Sequence, residues 1–380
     1  MFGNQSSATH QTAAVWSAYE PEITRSFFGF PPLRPYLVTT AFGPELAEKH
    51  SENRWWAEDI VSDLYLRDRA PKRVLSICCG FGAVEQRIVG DLGSIEHCLA
   101  IDLARGAVAE AARRATALGL DDVIHYEVAD LNGYDWSGPT YDLVVANGAL
   151  HHLAQLERVL DGVMHCLNPG GVLYANEHIG ARHQDFPQRQ IELINATAYL
   201  VPPGLRCRRA LRTNPFSQPS LRRLVDVLLG NADLSGVHAG WSPAKRALAG
   251  VLQRISLPPR RRFGPIVESN KRRLLRTDPS EGVSSDRIVD AVRARYREVH
   301  VHPYGGAVLT YALDRAFYEG FDPANAGHQR FLRTLCSLEA VLVDSGELAD
   351  EHAIIVAVKD GRSPSHGTTL GDPRSPQPPN

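Results

Sequence analysis

Short apolar runs alternate with amphipathic patterns between residues 72 and 180. The runs have the length of β-strands, whereas in the stretches between them apolar residues recur every three or four positions. The clearest helical pattern extends from Leu153 to Leu167, with its apolar residues on one face. The Asn-Pro-Gly-Gly sequence at residues 168–171 predicts that a sharp turn follows this helix. Strands are predicted at residues 73–78, 97–101, 123–128, 141–146 and 172–176.

Two late apolar runs extend the same pattern. Residues 296–302 and 352–359 predict two more strands, and residues 306–317 and 329–344 between them look helical. Strands that alternate with helices are typical of a parallel sheet covered by helices on both faces. We therefore predict an α/β fold with a doubly wound, Rossmann-like, seven-stranded and mostly parallel sheet. A helical N-terminal segment and an inserted helical cap accompany this sheet.

A basic segment interrupts the sheet pattern. The net charge of the chain is −2, yet residues 206–276 carry 16 Lys and Arg residues against three acidic ones. Such a segment can bind a phosphate group, an anionic membrane surface or an acidic carrier protein, or it can be a solvated face. The predicted units are a helical N-terminal lid segment (1–66), a Rossmann-like core (67–181), a basic, mostly helical cap (182–282), the completion of the sheet (283–360) and a disordered tail (361–380).

The composition is that of a soluble globular protein, with 43% apolar and 22% charged residues. No apolar run reaches the length of a membrane span, and the first residues lack a signal-peptide pattern. Six cysteines without paired metal-ligand spacing predict reduced thiols, so we expect a cytoplasmic protein. The net charge gives no global attraction to nucleic acid, which we do not expect as a partner. The oligomeric state is left open.

A glycine-containing loop follows the first predicted strand. Gly80 and Gly82 stand where a strand must turn into a helix and let a ligand approach the backbone. The second strand ends at Asp102, an acid placed to accept hydrogen bonds from ribose hydroxyls. Both NAD and S-adenosylmethionine (SAM) suit this pattern. The loop lacks the third glycine of the pyrophosphate-binding sequence and has Cys78 in place of the first, which favours SAM because SAM has no phosphate.

Motifs further along the chain carry a resemblance to a known family. Asp130 follows the third strand, Asn147 ends the fourth, and the Asn-Pro-Gly-Gly sequence precedes the fifth. Over residues 72–180 and the two late strands, the chain resembles class I SAM-dependent methyltransferases. The resemblance implies SAM as the cofactor, with residues 79–82 at its methionine part, Asp102 at the ribose, Asp130 and Leu131 at the adenine, and Asn147 near the sulfonium. The cofactor-binding residues predicted on this basis are Cys78, Cys79, Gly80, Phe81, Gly82, Asp102, Leu103, Asp130, Leu131 and Asn147.

Two residues depart from the pattern of this family: Cys78 replaces the first loop glycine, and Ser76 replaces the usual acid before it. The chain also resembles a bacterial subgroup that is often found among enzymes of glycan or secondary-metabolite biosynthesis. The shared features are Glu177, Gly180 and the sequences at 278–281 (Asp-Pro-Ser-Glu), 304–306 (Tyr-Gly-Gly) and 337–339 (Ser-Leu-Glu). Residues 278–281 also suit a helix N-terminus, with Asp278 as the cap and proline in the first turn.

Candidate catalytic residues follow the fourth and fifth strands. A hydroxyl group is too weakly acidic to ionise at neutral pH, so a nearby base assists its methylation, and neutral histidine suits that role. His151 and His178 are the candidate bases, and Glu177 can either act as the base or orient a histidine. No metal is predicted, although two histidines with nearby acids are a ligand set that can hold a divalent ion.

These observations predict a SAM-dependent methyltransferase that methylates a hydroxyl group on a sugar-containing or other small secondary metabolite. The expected partner is a small-molecule acceptor, which can be anionic or linked to a carrier protein. Residues 206–276 could also make peripheral contact with a membrane. Two alternatives stay open. An RNA methyltransferase would use the basic insert to hold its substrate, and a SAM-binding protein without turnover would explain the altered residues Ser76 and Cys78.

Overall fold

A computed structural model describes residues 11–17, 26–202, 205, 271, 275, 278–313 and 315–361. Within them, seven strands form one sheet in the order β3-β2-β1-β4-β5-β7-β6. The first five strands are parallel, and β7 pairs antiparallel with both β5 and β6. This arrangement confirms the predicted fold class. The strands are β1 (Arg73–Ile77), β2 (His97–Asp102), β3 (Ile124–Val128), β4 (Tyr141–Asn147), β5 (Leu167–His178), β6 (Glu298–Pro303) and β7 (His352–Val358).

Helices cover both faces of the sheet because each has an apolar stripe. In α6 the residues Leu156, Val159, Leu160 and Val163 are all fully buried, as the spacing of the pattern predicts. Residues 11–17 are also helical. The α-helices are α1 (Arg34–Phe42), α2 (Pro44–His50), α3 (Trp56–Val61), α4 (Ala83–Leu92), α5 (Arg105–Leu118), α6 (Leu156–Cys166), α7 (Gln188–Leu200), α8 (Ile288–Arg293), α9 (Leu309–Ala312), α10 (Arg315–Gly320) and α11 (Ala326–Asp344).

Two hydrophobic layers hold these elements together. One face of the sheet packs against the N-terminal helices and the late helices, with Leu37, Ile60 and Leu335 fully buried. The other face packs against α6 and α8, with Leu160 and Ile288 fully buried. A fully buried leucine or isoleucine side chain contributes roughly 1.5–3 kcal/mol to folding, so both layers fix the position of the strand ends.

Three local predictions need correction. The chain passes from α6 directly into β5, so residues 168–171 are a bulged part of the strand rather than a separate turn. The helix predicted at residues 306–317 is instead two short helices, α9 and α10. Residues 278–281 form a turn and begin no helix, because the Asp278 carboxylate accepts hydrogen bonds from the amide and the hydroxyl of Ser280 within that turn.

Parts of the predicted cap and tail lie outside the described residues. Of residues 206–276, only Lys271 and Leu275 are described, and the description ends at Gly361. The predicted cap begins with α7, whose buried face includes Ile191 and Ile194. Within the described residues, no helix combines the length and the apolar character needed to cross a membrane.

Candidate active site

A cavity of about 1170 Å³ opens at the carboxyl ends of the parallel strands. Parallel strands all end at the same edge of a sheet, which is where doubly wound folds bind their ligands. The loops after β1, β2, β3, β4 and β5 all contribute to its wall. Of the site residues predicted from the sequence, the cavity is lined by Cys78, Cys79, Gly80, Phe81, Asp102, Leu103, Asp130, Leu131, Asn147, His151, Glu177 and His178.

Gly82 lies behind the wall of the cavity, although it was predicted to bind the cofactor. Its φ of +78° belongs to the left-handed region, and a Cβ atom there would come within 2.5 Å of the Tyr126 hydroxyl. Glycine is therefore required for packing at the start of α4. Cys78, which replaces the first glycine of the loop, has a φ of +51°. This cysteine adopts a conformation that glycine adopts with less strain.

The glycine loop, residues 78–82, is fastened to the end of β2. The Asp102 carboxylate accepts hydrogen bonds from the amide of Gly80 at 2.9 Å and from the amide of Ala104 at 2.7 Å. Burial raises the pKa of Asp102, against the lowering effect of these amides. Each carboxylate oxygen can accept a second hydrogen bond, so Asp102 can position the loop and also bind a diol in the cavity.

Thiols, leucines and a further aspartate lie close to the glycine loop in the cavity wall. Burial raises the pKa of the thiols of Cys78 and Cys79 well above the ordinary value, so both stay protonated at neutral pH. Leu103 and Leu131 add apolar surface. Asp130 accepts hydrogen bonds from the amide and the side chain of Asn132, each at 2.9 Å, which holds the turn after β3.

His151 and Glu177 form a buried pair on neighbouring strand ends. The His151 Nδ1 donates a hydrogen bond to the Glu177 Oε2 at 2.7 Å. Burial disfavours the charged imidazolium, but the hydrogen bond and the charge of Glu177 outweigh it and raise the pKa of His151 above its ordinary value. Because Nδ1 carries the proton that Glu177 accepts, Nε2 of neutral His151 has a free lone pair.

Glu177 itself is saturated with donors. Its Oε1 accepts from the amides of Ala149 and Leu150 at 2.8 and 2.7 Å, and its Oε2 accepts from the amide and the ring of His151. Four donors occupy the usual acceptor positions of the two oxygens. Of the two roles predicted for Glu177, this geometry supports the positioning of His151 and disfavours direct proton transfer.

His178, the other candidate base, is in a different electrostatic environment. Its Nδ1 donates to the backbone carbonyl of Glu351 at 3.0 Å. Burial, together with the charge of His151, lowers the pKa of His178 to about 4. Its Nε2, the Nε2 of His352 and the hydroxyl of Thr310 are buried without a hydrogen-bond partner among the described residues. All three side chains line the cavity and can hydrogen-bond to a polar acceptor.

His152 and Ser280 form a second hydrogen-bonded pair in the cavity wall. His152 donates from Nδ1 to the hydroxyl of Ser280 at 2.9 Å, and the indole of Trp16 donates to Asp278 at 2.7 Å. The ligand atoms of His151, His152 and Glu281 lie within 4.8 Å of one another and are a set that can hold a metal ion. Burial lowers the pKa of His152 to about 4, and the charge of His151 adds to this.

Several residues of the cavity wall were not predicted from the sequence. Glu58, Glu85, Thr310 and His352 come from helices and the start of β7, and none belongs to a motif with known spacing. For Glu85 the sequence offers one indication of its position, because it is an acidic residue in the first turn of the helix that follows the glycine loop. Tyr304, Trp55 and Trp56 also line the cavity.

Residues 75–173 match the family model described as a methyltransferase domain. This segment contains the glycine loop, Asp102, Asp130 and His151. The match assigns a methyltransferase domain to these residues, and the topology of the sheet agrees with the predicted resemblance to class I SAM-dependent methyltransferases. The cofactor of this class is SAM, and the residues present suit it: Asp102 faces the cavity beside neutral thiols and apolar leucines, with no phosphate-binding sequence.

Two curated relatives and one solved structure illustrate the range of similar proteins. The highly reducing polyketide synthase aurA of Calcarisporium arbuscula is 32% identical over 152 residues, which are 38% of this chain and 6% of the synthase. The malonyl-[acyl-carrier protein] O-methyltransferase of Enterobacter lignolyticus (strain SCF1) is 31% identical over 146 residues, 38% of this chain and 54% of the relative. The [4+2]-cyclase SpnF is 14% identical with a TM-score of 0.40, covering 82% of this chain and 83% of the cyclase. The chain thus spans about half the length of one of these curated relatives and 6% of the length of the other.

Proposed function

We propose that this protein transfers a methyl group from SAM to a hydroxyl group of a small, polar acceptor, with His151 as the general base. The observation that carries this proposal is the buried hydrogen bond between His151 and Glu177 in the wall of the cavity. The acceptor class is a sugar-containing or other secondary metabolite, either free or linked to a carrier.

The reaction requires alignment and a base. When bound, SAM supplies a methyl group on a positively charged sulfur, which is open to in-line displacement. The enzyme holds the acceptor oxygen on the line of attack and keeps water out of the cavity. His151 takes the proton of the acceptor hydroxyl on Nε2, and Glu177 stabilises the imidazolium that results.

The His151–Glu177 pair supports a hydroxyl acceptor over a carboxylate. A carboxylate is already ionised at neutral pH and gains little from a base, whereas a hydroxyl must lose its proton during methyl transfer. The side chains of His178, His352 and Thr310 provide further polar atoms at the same end of the cavity. They support an acceptor with several hydroxyl or carbonyl groups.

Methylation of an activated carbon is a second candidate function. The similarity to a stretch of a polyketide synthase favours an acceptor that is a carrier-linked acyl chain. A carbon between two carbonyl groups also needs a base before it can attack a methyl group, so His151 would keep the same role. The two candidates differ only in the acceptor atom.

Titration calorimetry and a transfer assay test the proposal. We expect S-adenosylhomocysteine (SAH) and SAM to bind with micromolar affinity and NAD not to bind. SAM with a labelled methyl group is then offered with glycosides, carboxylates and a β-ketoacyl thioester. Label on a hydroxyl compound supports the proposal, and label on the thioester carbon supports the second candidate. Binding of NAD alone would contradict both, and SAH binding without any turnover would favour a binding protein.

A parallel assay with a chelator tests the three potential metal ligands. Nε2 of His151 must be unliganded to take a proton, so we expect equal rates with and without the chelator. A rate that depends on added metal would contradict the role of His151 as the base.

A further inference from the structure

Glu85 is a buried carboxylate that the methyl-transfer mechanism leaves unused. It lies in the first turn of α4, directly after the glycine loop, and is 1% exposed while it lines the cavity. Its Oε1 has no hydrogen-bond partner among the described residues, and none of these residues forms an ion pair with it. Such an arrangement is costly in a folded protein unless a ligand supplies the missing partner.

The neighbour of Glu85 explains its position. The hydroxyl of Ser76 donates to the Glu85 Oε2 at 3.3 Å. Ser76 is the residue on β1 at which the sequence departs from the family by lacking an acid. The carboxylate of Glu85 therefore lies beside residue 76, although Glu85 belongs to α4 and residue 76 to β1.

The charges around Glu85 favour a cationic ligand. Burial raises the pKa of Glu85 to about 7, and the negative charge of Asp102 adds to this effect, while hydrogen bonds with the backbone and with the hydroxyls of Tyr126 and Ser76 only partly oppose it. Burial raises the pKa of the Cys79 thiol well above its ordinary value and the charge of Glu85 adds to this, so the thiol offers Glu85 no positive charge. Burial also raises the pKa of Glu58, another acid in the cavity wall, but there the positive charge of Arg87 acts in the opposite direction.

We infer that Glu85 binds the α-ammonium group of the methionine part of SAM, in place of the acid absent at Ser76. This inference rests on SAM as the cofactor of the proposed reaction. The ammonium group supplies both the missing hydrogen-bond donor and the missing positive charge.

Two ligands separate this role from a merely structural one. SAH carries the amino-acid part, whereas 5′-methylthioadenosine has the same nucleoside and thioether without it. For Glu85→Gln we expect the Kd of SAH to rise roughly 10- to 100-fold, because a charged hydrogen bond is lost, and that of methylthioadenosine to change less than about twofold. Equal weakening of both ligands would overturn the assignment.

Matched variants sharpen the test. Glu58→Gln removes a different buried carboxylate from the same cavity and is expected to leave the ratio of the two Kd values unchanged. The double variant Ser76→Asp/Glu85→Gln returns an acid to β1 and is expected to recover most of the SAH affinity. If it recovers none while it folds normally, a carboxylate at this place does not bind the ammonium group.

A measurement on the unaltered protein covers the case in which Glu85→Gln does not fold. A cation beside Glu85 lowers the pKa of its carboxyl group, so SAH binding near pH 7 should release a fraction of a proton. Calorimetry in two buffers of different ionisation enthalpy measures this release, which methylthioadenosine should not produce. Equal proton release with both ligands would contradict the inference. Absence of binding by either ligand would instead overturn the proposed function on which it rests.

Discussion

The two ends of the cavity are built in different ways. The proposed cofactor end consists of the glycine loop, Asp102 and Asp130, which lie at the ends of β1, β2 and β3 and are held mainly by hydrogen bonds to nearby backbone amides. The proposed acceptor end consists of His151, His152, His178 and His352 with Glu177, and it joins β4, β5 and β7 with the turn at 278–281. One end is made by a local chain pattern, the other by contacts between distant segments.

The electrostatics of the two ends differ as well. At the cofactor end the buried acids Asp102 and Glu85 lie near neutral thiols, which suits a cationic group of the ligand, while the guanidinium of Arg114 lies over the Phe81 ring of the loop. At the acceptor end burial lowers the pKa of His178, whereas the pairing with Glu177, aided by the charges of Glu281 and Asp278, raises that of His151 against the effect of burial. The pKa values of His151 and His178 thus shift in opposite directions, since the carboxylate of Glu177 lies 2.7 Å from His151 whereas that of Glu351 lies 3.5 Å from His178.

The largest expected effect is at His151. His151→Ala removes the proposed base, so we expect kcat to fall by roughly 10²- to 10⁴-fold, the usual contribution of a general base, with little change in the Kd of SAH. Transfer of labelled methyl groups and calorimetry measure the two quantities. His178→Ala is the matched control, and a larger loss of kcat in that variant would assign the base to His178.

A smaller effect, with a distinct pH signature, is expected for Glu177→Gln. Only neutral His151 can accept a proton, so the rate should rise with pH through the pKa of His151 and level off above it. Burial lowers the pKa of His151, and Glu177 more than offsets this. Without the charge of Glu177, the effect of burial remains and the pKa of His151 falls. The midpoint of kcat/KM against pH should therefore move to lower pH, while the plateau falls by roughly tenfold or more because His151 is less well oriented. An unchanged midpoint would argue that His151 does not titrate in the rate-limiting step.

The smallest effect is expected at the cofactor end. Asp102→Ala should weaken SAH binding by roughly 1–3 kcal/mol, because hydrogen bonds between a charged acceptor and the ribose are lost. Asp102→Asn keeps one acceptor oxygen for the loop amides and should lose less. Calorimetry measures both variants, and unchanged SAH affinity in Asp102→Ala would contradict the ribose assignment.

Most residues predicted for the cofactor end do line the cavity, because the sequence information for them is local. A strand, a glycine loop and an acid at the end of the next strand lie within residues 73–102, and their spacing reflects one structural unit. The prediction for Gly82 shows the limit of this reasoning. Whether a glycine touches a ligand or makes room for Tyr126 depends on the packing of α4 against the sheet.

The acceptor end could be predicted only in part. His151 and His178 were recognisable because they follow strands, and the cavity does bring them together with Glu177. The sequence did not indicate that Glu177 saturates its oxygens with the 149–151 amides and the ring of His151, or that Ser280 bonds to His152. These contacts join residues far apart in the chain, and the prediction of a helix at residues 278–281 missed them.

The sequence by itself determined the fold class, the order of strands and helices and the position of the glycine loop, because hydrophobic periodicity and turn residues act over short distances. Only the tertiary structure decided which histidine has a carboxylate partner and that Glu85 lies beside Ser76. The physical reason is that pKa values and hydrogen-bond partners depend on burial and on distances across the sheet. Those quantities exist only once the elements are packed together.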